Sequence, residues 1–219
     1  MPLSYAEENY LKALIKLSVP TDKPVSTNAV AAHLNTSAAS VTDMLKKLSD
    51  KELITYQRYQ GASLTDEGYR LATNLVRKHR LWEVFLVQSL QIPWDEVHEI
   101  AEELEHIQSD LLIDRLDTFL GHPKFDPHGD PIPNSQGKYT LRSQLPLTDL
   151  NIGQSGMVIG VREDSSSFLK HLTEKGISLG KTATILAHDA YDHQLQLEID
   201  QREISLSGQV AQHILVKPL

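Results

Sequence analysis

A chain of 219 residues, 40% of them hydrophobic, is long enough for two or three small modules that each bury a core. The absence of cysteine excludes disulfides, thiolate zinc sites, iron–sulfur clusters and cysteine nucleophiles, so any metal must rest on oxygen and imidazole. The net charge of −8 excludes a generally basic nucleic-acid coat, but it is uneven: residues 1–64 hold seven Lys/Arg against six Asp/Glu, a surplus of +1, which leaves −9 for the rest.

Tyr10, Leu11, Leu14 and Ile15 recur at helical spacing and predict a first helix from about Ser4 to Val19, ended by the break from Pro20 to Pro24. A short second helix follows Ser26, with Val30, Ala31 and Leu34 inward. Ser37 caps a third, whose Val41, Met44, Leu45 and Leu48 form a buried stripe. The tight turn between them reads as helix-turn-helix. "LITYQRYQ" and "ASLT" then alternate about Gly61 as a two-stranded wing. The third helix becomes the candidate DNA reader: Ser37, Ala39, Ser40, Thr42 and Asp43 are small or polar, and Lys46, Lys47, Lys51 and Arg58 add positive charge. The plainer alternatives are a solvated helix face or a protein-binding winged helix.

Two long helical patterns follow, Thr65 to about Leu90 and Trp94 to Leu120, separated at Ile92-Pro93 and stopped at Gly121. Leu81, Trp82, Val84, Phe85 and Leu86 in one, and Leu104, Ile107, Leu111, Leu112 and Leu116 in the other, exceed what a lone surface helix needs. Part of that surface is expected to meet a second subunit; a helical hairpin within one chain is the alternative.

Within "HEIAEELEHIQSD", His98, Glu102, Glu105 and His106 fall at i, i+4, i+7 and i+8, along one stripe of a continuous helix. His79 and Glu83 are spaced i, i+4 on the preceding helix, and antiparallel packing would bring the two sets together. Carboxylate with neutral imidazole suits Mn(II), Fe(II), Co(II) or Zn(II), and the lack of sulfur favours Mn(II). A single His-x-x-x-Glu pair is common decoration, but two pairs beside Glu-x-x-Glu-His make a metal site the better reading. No His-Glu-x-x-His protease signature occurs.

Beyond Gly121, "HPKFDPHGDPIPNSQGKYTLRSQLPLTDL" reads as a Pro/Gly-rich linker crossing the metal region. From about Leu147, "GMVIGV", "TATILAH", "QLQLEI", "EISLS" and "HILVKPL" are five short strands, with a helix from about Phe168 to Lys175 ended by Gly176, which suggests a small β-barrel. His33, His171, His188, His193 and His213 read as surface or locally bonded, and His122 and His128 flank the loop without a clear role.

"RKHRLWEVFL", "VHEIAEELEHIQSD" and "HPKFDPHGDPIP", with the winged-helix pattern before them, resemble the diphtheria toxin repressor family of metal-dependent transcriptional repressors, most of all its manganese transport regulator branch, over essentially the whole chain. The resemblance implies a regulatory primary site at Glu102, Glu105 and His106 and an ancillary site at His79, Glu83 and His98. Iron-responsive members carry cysteine where this chain has Glu102, and streptococcal-type members carry a cysteine ligand where it has Asp126. The first helix of the family supplies an Asp or Met ligand; here Asn9 stands there, beside Glu8, which puts direct ligation by that helix in doubt. The barrel becomes an SH3-like domain, and Asp164, near Glu163 and Ser167, matches its oxygen donor to the ancillary metal. A carboxylate flanking the short helix's N-terminus is the simpler role for Asp164.

The expected architecture is thus mainly α with a small β domain: a winged helix-turn-helix (residues 1–64), a helical metal-binding and dimerisation region with its linker (65–146, linker from about 121) and an SH3-like domain (147–219). The expected function is a Mn(II)-dependent repressor that binds palindromic operator DNA as a homodimer, with Fe(II), Co(II), Zn(II) or Cd(II) as substitutes, and no catalysis or organic ligand. No apolar run reaches the roughly 18 residues of a membrane span, and no basic leader precedes a hydrophobic segment, so the expected location is cytoplasmic. The alternatives are an iron-responsive member, or a winged-helix regulator answering an organic ligand around a structural metal; a metal-dependent hydrolase lacks any separate base or nucleophile.

Overall fold

In the computed structural model, which describes residues 3–18, 23–189, 191 and 193–219, Ser26 and Ser37 both act as helix caps. Their side chains accept the backbone N–H of Ala29 and Ser40, and so start α2 (Thr27–His33) and α3 (Ala38–Asp50). Asn35, in the left-handed region at φ 48°, turns the chain between them. With α1 (Tyr5–Ser18), β1 (Ile54–Gln57) and β2 (Gly61–Leu64), these helices form a winged helix. Val19 and residues 20–22 of the expected break lie outside the described residues. Gly61 (φ +105°) is required for close approach: a Cβ there would lie 2.6 Å from the carbonyl oxygen of Val25, which is bridged to Ala62.

The chain divides into two units. The first comprises Met1–His79, Glu102–Ile113 and Pro133–Tyr139. Its core joins Leu11, Leu14 and Ile15 of α1 to Val30, to Val41, Leu45 and Leu48 of α3, and to Ala72 and Val76 of α4 (Asp66–Gln88). Met44, expected fully inside, is half-buried against this cluster.

The second unit comprises Arg80–Ala101, Asp114–Ile132 and Thr140–Leu219. Its sheet is antiparallel, ordered β3-β8-β4-β5-β6-β7: β3 (Leu145–Pro146), β4 (Ser155–Val161), β5 (Thr182–His188), β6 (Leu195–Ile199), β7 (Arg202–Leu206) and β8 (Ile214–Pro218). All five expected strands are present, joined by the short β3. Irregularities in register at Val158/Gly160 and Ile185/Ala187 add the local twist that curls a small sheet. α7 (Ser166–Glu174) covers the core with Phe168, Leu169 and Leu172, and the small α8 (Gly208–Ala211) adds Ala211.

The helix expected from Trp94 to Leu120 is not continuous. α5 (Val97–Leu104) stops, residues 105–109 turn, and α6 (Asp110–Phe119) starts anew. Two contacts account for the interruption. Ser109 Oγ accepts the Leu112 N–H at 3.3 Å, a cap that restarts the helix, and Lys78 Nζ donates to the Ile107 carbonyl at 3.1 Å, which satisfies a group the helix has released.

α1 is tied to α3 by a buried acid. Glu7, 1% exposed, lies 2.6 Å from Lys51 Nζ and 3.2 Å from Lys47 Nζ. Burial alone would raise its pKa, but hydrogen bonds from Lys51, the Ser4 amide and Lys47 hold it near 2, against an ordinary 4.5. A depressed carboxylate stabilises fully above its unfolded pKa and loses that contribution as pH falls towards its folded one. Glu7→Gln is expected to destabilise the protein by about 1–2 kcal/mol at pH 7, discounted because the lysine ends are partly solvated. The gap should close as pH falls from about 4.5 towards 2, as read by urea denaturation at stepped pH; a constant gap would assign Glu7 a role independent of its charge.

Candidate metal centre

In the first unit the break after α5 places Glu105 and His106 in a turn, where both are buried; Glu102, one turn back on α5, keeps a side chain 54% exposed. His106 Nδ1 lies 2.5 Å from Glu8 Oε2, Gln108 Nε2 donates to Glu8 Oε1 at 2.6 Å, and the Tyr5 ring stacks on the imidazole with centroids 4.4 Å apart. Glu8 is therefore the α1 carboxylate brought to His106, while Asn9 is exposed. Glu105 Oε2 lies 2.6 Å from His79 Nδ1 and 2.5 Å from Lys12 Nζ. Burial would raise the Glu105 pKa, but the His79 hydrogen bond and the Lys12 charge together lower it. Glu8, Glu102, Glu105 and His106 offer carboxylate and imidazole donors from two chain segments, the donor types that suit Mn(II), but none of them belongs to a group of three whose ligand atoms converge within 4.8 Å among the described residues.

The second unit holds another donor set. Glu83, Asp126 and His128 are all buried, and one ligand atom from each lies within 4.8 Å of the others. Glu83 Oε1 is approached by two imidazoles, His98 Nδ1 at 3.4 Å and His128 Nδ1 at 3.7 Å. Burial, then the nearby Glu83 charge, pushes Asp126 up to about 7. Burial would lower His128, but its hydrogen bond to Glu83 and the acid charges prevail and raise it to about 9. Buried like charges held this close are the condition that a divalent cation relieves.

The loop that presents these donors is shaped by its own sequence. Asp126 Oδ1 accepts the backbone N–H groups of His128 and Asp130, both at 2.9 Å, and Arg80 Nε lies 3.3 Å from Asp126 Oδ2. His128 Nε2 faces the Trp94 carbonyl at 2.8 Å; when it carries the proton, Nδ1 offers its lone pair to the donor set. The His128 carbonyl accepts the Val161 N–H of β4, and Arg142 donates to the carbonyls of Gly129 and Ile159 with its guanidinium over Phe125. His128 is the donor that sequence reasoning missed; its signal was the Asp-x-His spacing beside the chosen Asp126. Asp164 is exposed before α7, the cap of that helix is Ser165, and Asp164 joins neither donor set among the described residues.

The expected reader residues lie on α3 and the wing. Ser37, Ala39, Ser40, Asp43, Lys46 and Arg58 are exposed or partly so, the Thr42 hydroxyl bonds back to Ala38, and Lys47 is engaged by Glu7. A groove of about 650 Å³ runs between α3 and the wing, lined by Thr42, Lys46, Arg58 and Tyr59 and also by Ser26, Thr27 and Asn28, which were not among the expected reader residues.

Three family models match the chain: the iron dependent repressor N-terminal DNA binding domain at residues 2–62, the iron dependent repressor metal binding and dimerisation domain at 65–134, and the FeoA domain at 145–218. A solved manganese-dependent transcriptional repressor in complex with manganese is 34% identical, with a TM-score of 0.83 over 97% of this chain and 100% of its own. ScaR with bound Zn2+ is 37% identical, with a TM-score of 0.75 over 97% and 99%. A probable metal transport system membrane protein of Chlamydia trachomatis is 44% identical over 91 residues, 42% of this chain. The chain spans 20% of that protein's length and about half, 52–54%, of the diphtheria toxin repressor and iron-dependent repressors it also matches.

Gly129 sits at φ +90°, where a Cβ would fall 2.2 Å from the Ile159 carbonyl oxygen. Gly129→Ala is expected to push the loop off β4 and to weaken Mn(II) binding at Glu83, Asp126 and His128 at least tenfold, as measured by calorimetry. Because His128 is raised to about 9, binding there should release close to one proton from it near pH 7.5, seen as a buffer-dependent enthalpy. Equal enthalpies in buffers of different ionisation heat would show that His128 does not bind.

Proposed function

We infer that this chain, which belongs to the iron-dependent, diphtheria toxin repressor family, is a Mn(II)-responsive transcriptional repressor that binds palindromic operator DNA as a homodimer. The observation that carries the reading is the 2.5 Å contact between Glu8 and His106. Glu8 belongs to α1, whose Leu11, Leu14 and Ile15 pack in the core of the winged helix. A change in what holds His106 is therefore felt by the helix on which the reading domain is built.

Glu102, Glu105 and His106, with Glu8 from α1, would hold one ion, and Glu83, Asp126 and His128, with His98 beside Glu83, a second. The ions would supply the positive charge that lets buried carboxylates stay ionised and close together. Every other step belongs to the chain. Glu8 commits α1 to the turn at His106, α1 carries α3 through Glu7, and the reader residues Ser37, Ser40, Lys46 and Arg58 take a definite placement. Ligand binding shifts such an equilibrium only if the two placements bind it unequally, and moving it from 1:99 to 99:1 takes about 5.5 kcal/mol.

Manganese is favoured by the all-oxygen and imidazole donor set and by the manganese-dependent repressor of similar fold; Fe(II), Co(II), Zn(II) and Cd(II) would enter the same donors. Large apolar side chains remain exposed at Leu111, Leu112 and Phe119 of α6 and at Leu90 and Ile100, surface that a second copy would cover. Among the described residues no helix is long and apolar enough to cross a membrane. Genes of metal-ion homeostasis are the controlled set that a metal-dependent repressor of this kind implies. An intracellular, non-catalytic role follows from this reading.

Mn(II) is expected to raise affinity at least a hundredfold for a duplex selected from a randomised pool, read by fluorescence anisotropy at fixed salt. Glu102→Ala should abolish the rise while leaving the metal-free melting temperature within a few degrees, and His106→Ala should abolish it as well but melt lower, because it strips buried Glu8 of its imidazole partner. Equal affinity in chelator and in manganese would sink the proposal.

A further inference from the structure

α1 carries one more buried charge, and the proposed function makes no use of it. Lys12, 6% exposed, follows Glu8 by one helical turn, so both project from the same face of α1. Its Nζ lies 2.5 Å from Glu105 Oε2, 3.2 Å from His79 Nδ1 and 3.7 Å from Glu102 Oε1. Those are donors from α4, from α5 and from the turn after it. Two of them, Glu102 and Glu105, are proposed to hold the divalent ion. A metal–oxygen bond is roughly 2.0–2.2 Å long, so an ion on Glu105 Oε2 would fall within the space the ammonium takes up. Two cations cannot share that oxygen in a buried site, where their repulsion is poorly screened.

We propose that Lys12 is a built-in competitor for the metal: its ammonium neutralises Glu105 and Glu102 in the metal-free chain and must withdraw before a divalent ion can bind them. This rests on the reading of Glu102, Glu105 and His106 as metal ligands. It adds that metal entry is an exchange of one cation for another, which sets the metal concentration at which the protein responds. A doubly charged ion gains more from the two carboxylates than the ammonium does, whereas a monovalent ion offers no advantage over it. The exchange also acts on α1 directly. The helix loses its Lys12 tether to Glu105 as it gains a metal-bridged one through Glu8, so the same event that fills the site re-seats the helix.

The test uses the full chain carrying Glu83→Gln, which disables the second donor set and isolates the first. Mn(II) affinity is measured by competition with a fluorescent chelator. Lys12→Met is expected to bind Mn(II) at least tenfold tighter than this parent and to melt lower without metal, with the loss recovered in saturating Mn(II). Lys12→Arg, which keeps the charge, should stay near the parent affinity. If the parent binds no Mn(II), the functional reading falls and this inference with it; if the parent binds and Lys12→Met binds no tighter, only this inference falls. A second measurement needs no variant at residue 12. In the unmodified protein, an amine-reactive ester followed by peptide mass spectrometry should label Lys12 several-fold faster with Mn(II) than with chelator, and protection unchanged by Mn(II) would overturn the proposal.

Discussion

Buried carboxylates without enough fixed positive charge are the constraint on which the molecule turns. Glu8, Glu83, Glu105 and Asp126 are each 5% exposed or less, and a charge taken out of water is costly unless it is paired, hydrogen-bonded or protonated. The chain answers in two ways. Glu105 is kept ionised by Lys12 and His79, whereas Asp126 is driven towards its neutral form by burial and by Glu83, with Arg80 providing partial relief. Neither arrangement is the most favourable available once a divalent cation is supplied. On the proposed reading, a divalent cation placed among these acids would remove a penalty that the fold otherwise bears, so metal affinity and folding energetics would be linked.

That penalty would remain local if the acids stood on separate supports, but one helix gathers three of the contacts. Glu7 leaves α1 towards the lysines of α3, while Glu8 and Lys12, together on another face, reach His106 and Glu105. Between them Leu11, Leu14 and Ile15 lock α1 into the winged-helix core. Close-packed cores do not deform smoothly, so a helix held by polar contacts at its edges and by apolar packing along its length passes a change at one contact to the others.

Much of the frame was legible from sequence because local chemistry decides it. Ser26 and Ser37 cap, Gly61 permits the wing, and alternating apolar residues mark the strands of the β domain. The donor residues were legible as types, but their grouping was not. The stripe from His98 to His106 presumed one unbroken helix, and the break at 105–109 depends on Lys78 reaching Ile107 from 29 residues away and on a serine cap that competes with helix continuation. The interruption turns Glu105 and His106 inward while Glu102 stays at the surface. His128 was passed over for a similar reason: in a Pro/Gly-rich loop no periodicity says which way a side chain points, and its orientation comes from the Trp94 carbonyl and from β4. Propensity can name a ligand type; only long-range contacts aim it.

The loop at 125–132 carries this point furthest. Its donors come from a segment whose backbone is half-committed to the β domain: Val161 hydrogen-bonds the His128 carbonyl, Arg142 joins Gly129 to Ile159 while covering Phe125, and Gly129 has no room for a side chain against β4. None of these groups is a metal donor. They nonetheless set where Asp126 and His128 can be, and a shift of about 1 Å in a supporting shell is enough to loosen a coordination site. The β domain therefore bears on the proposed donor set through its main chain even though Asp164, the side chain expected to connect them, stands exposed before α7.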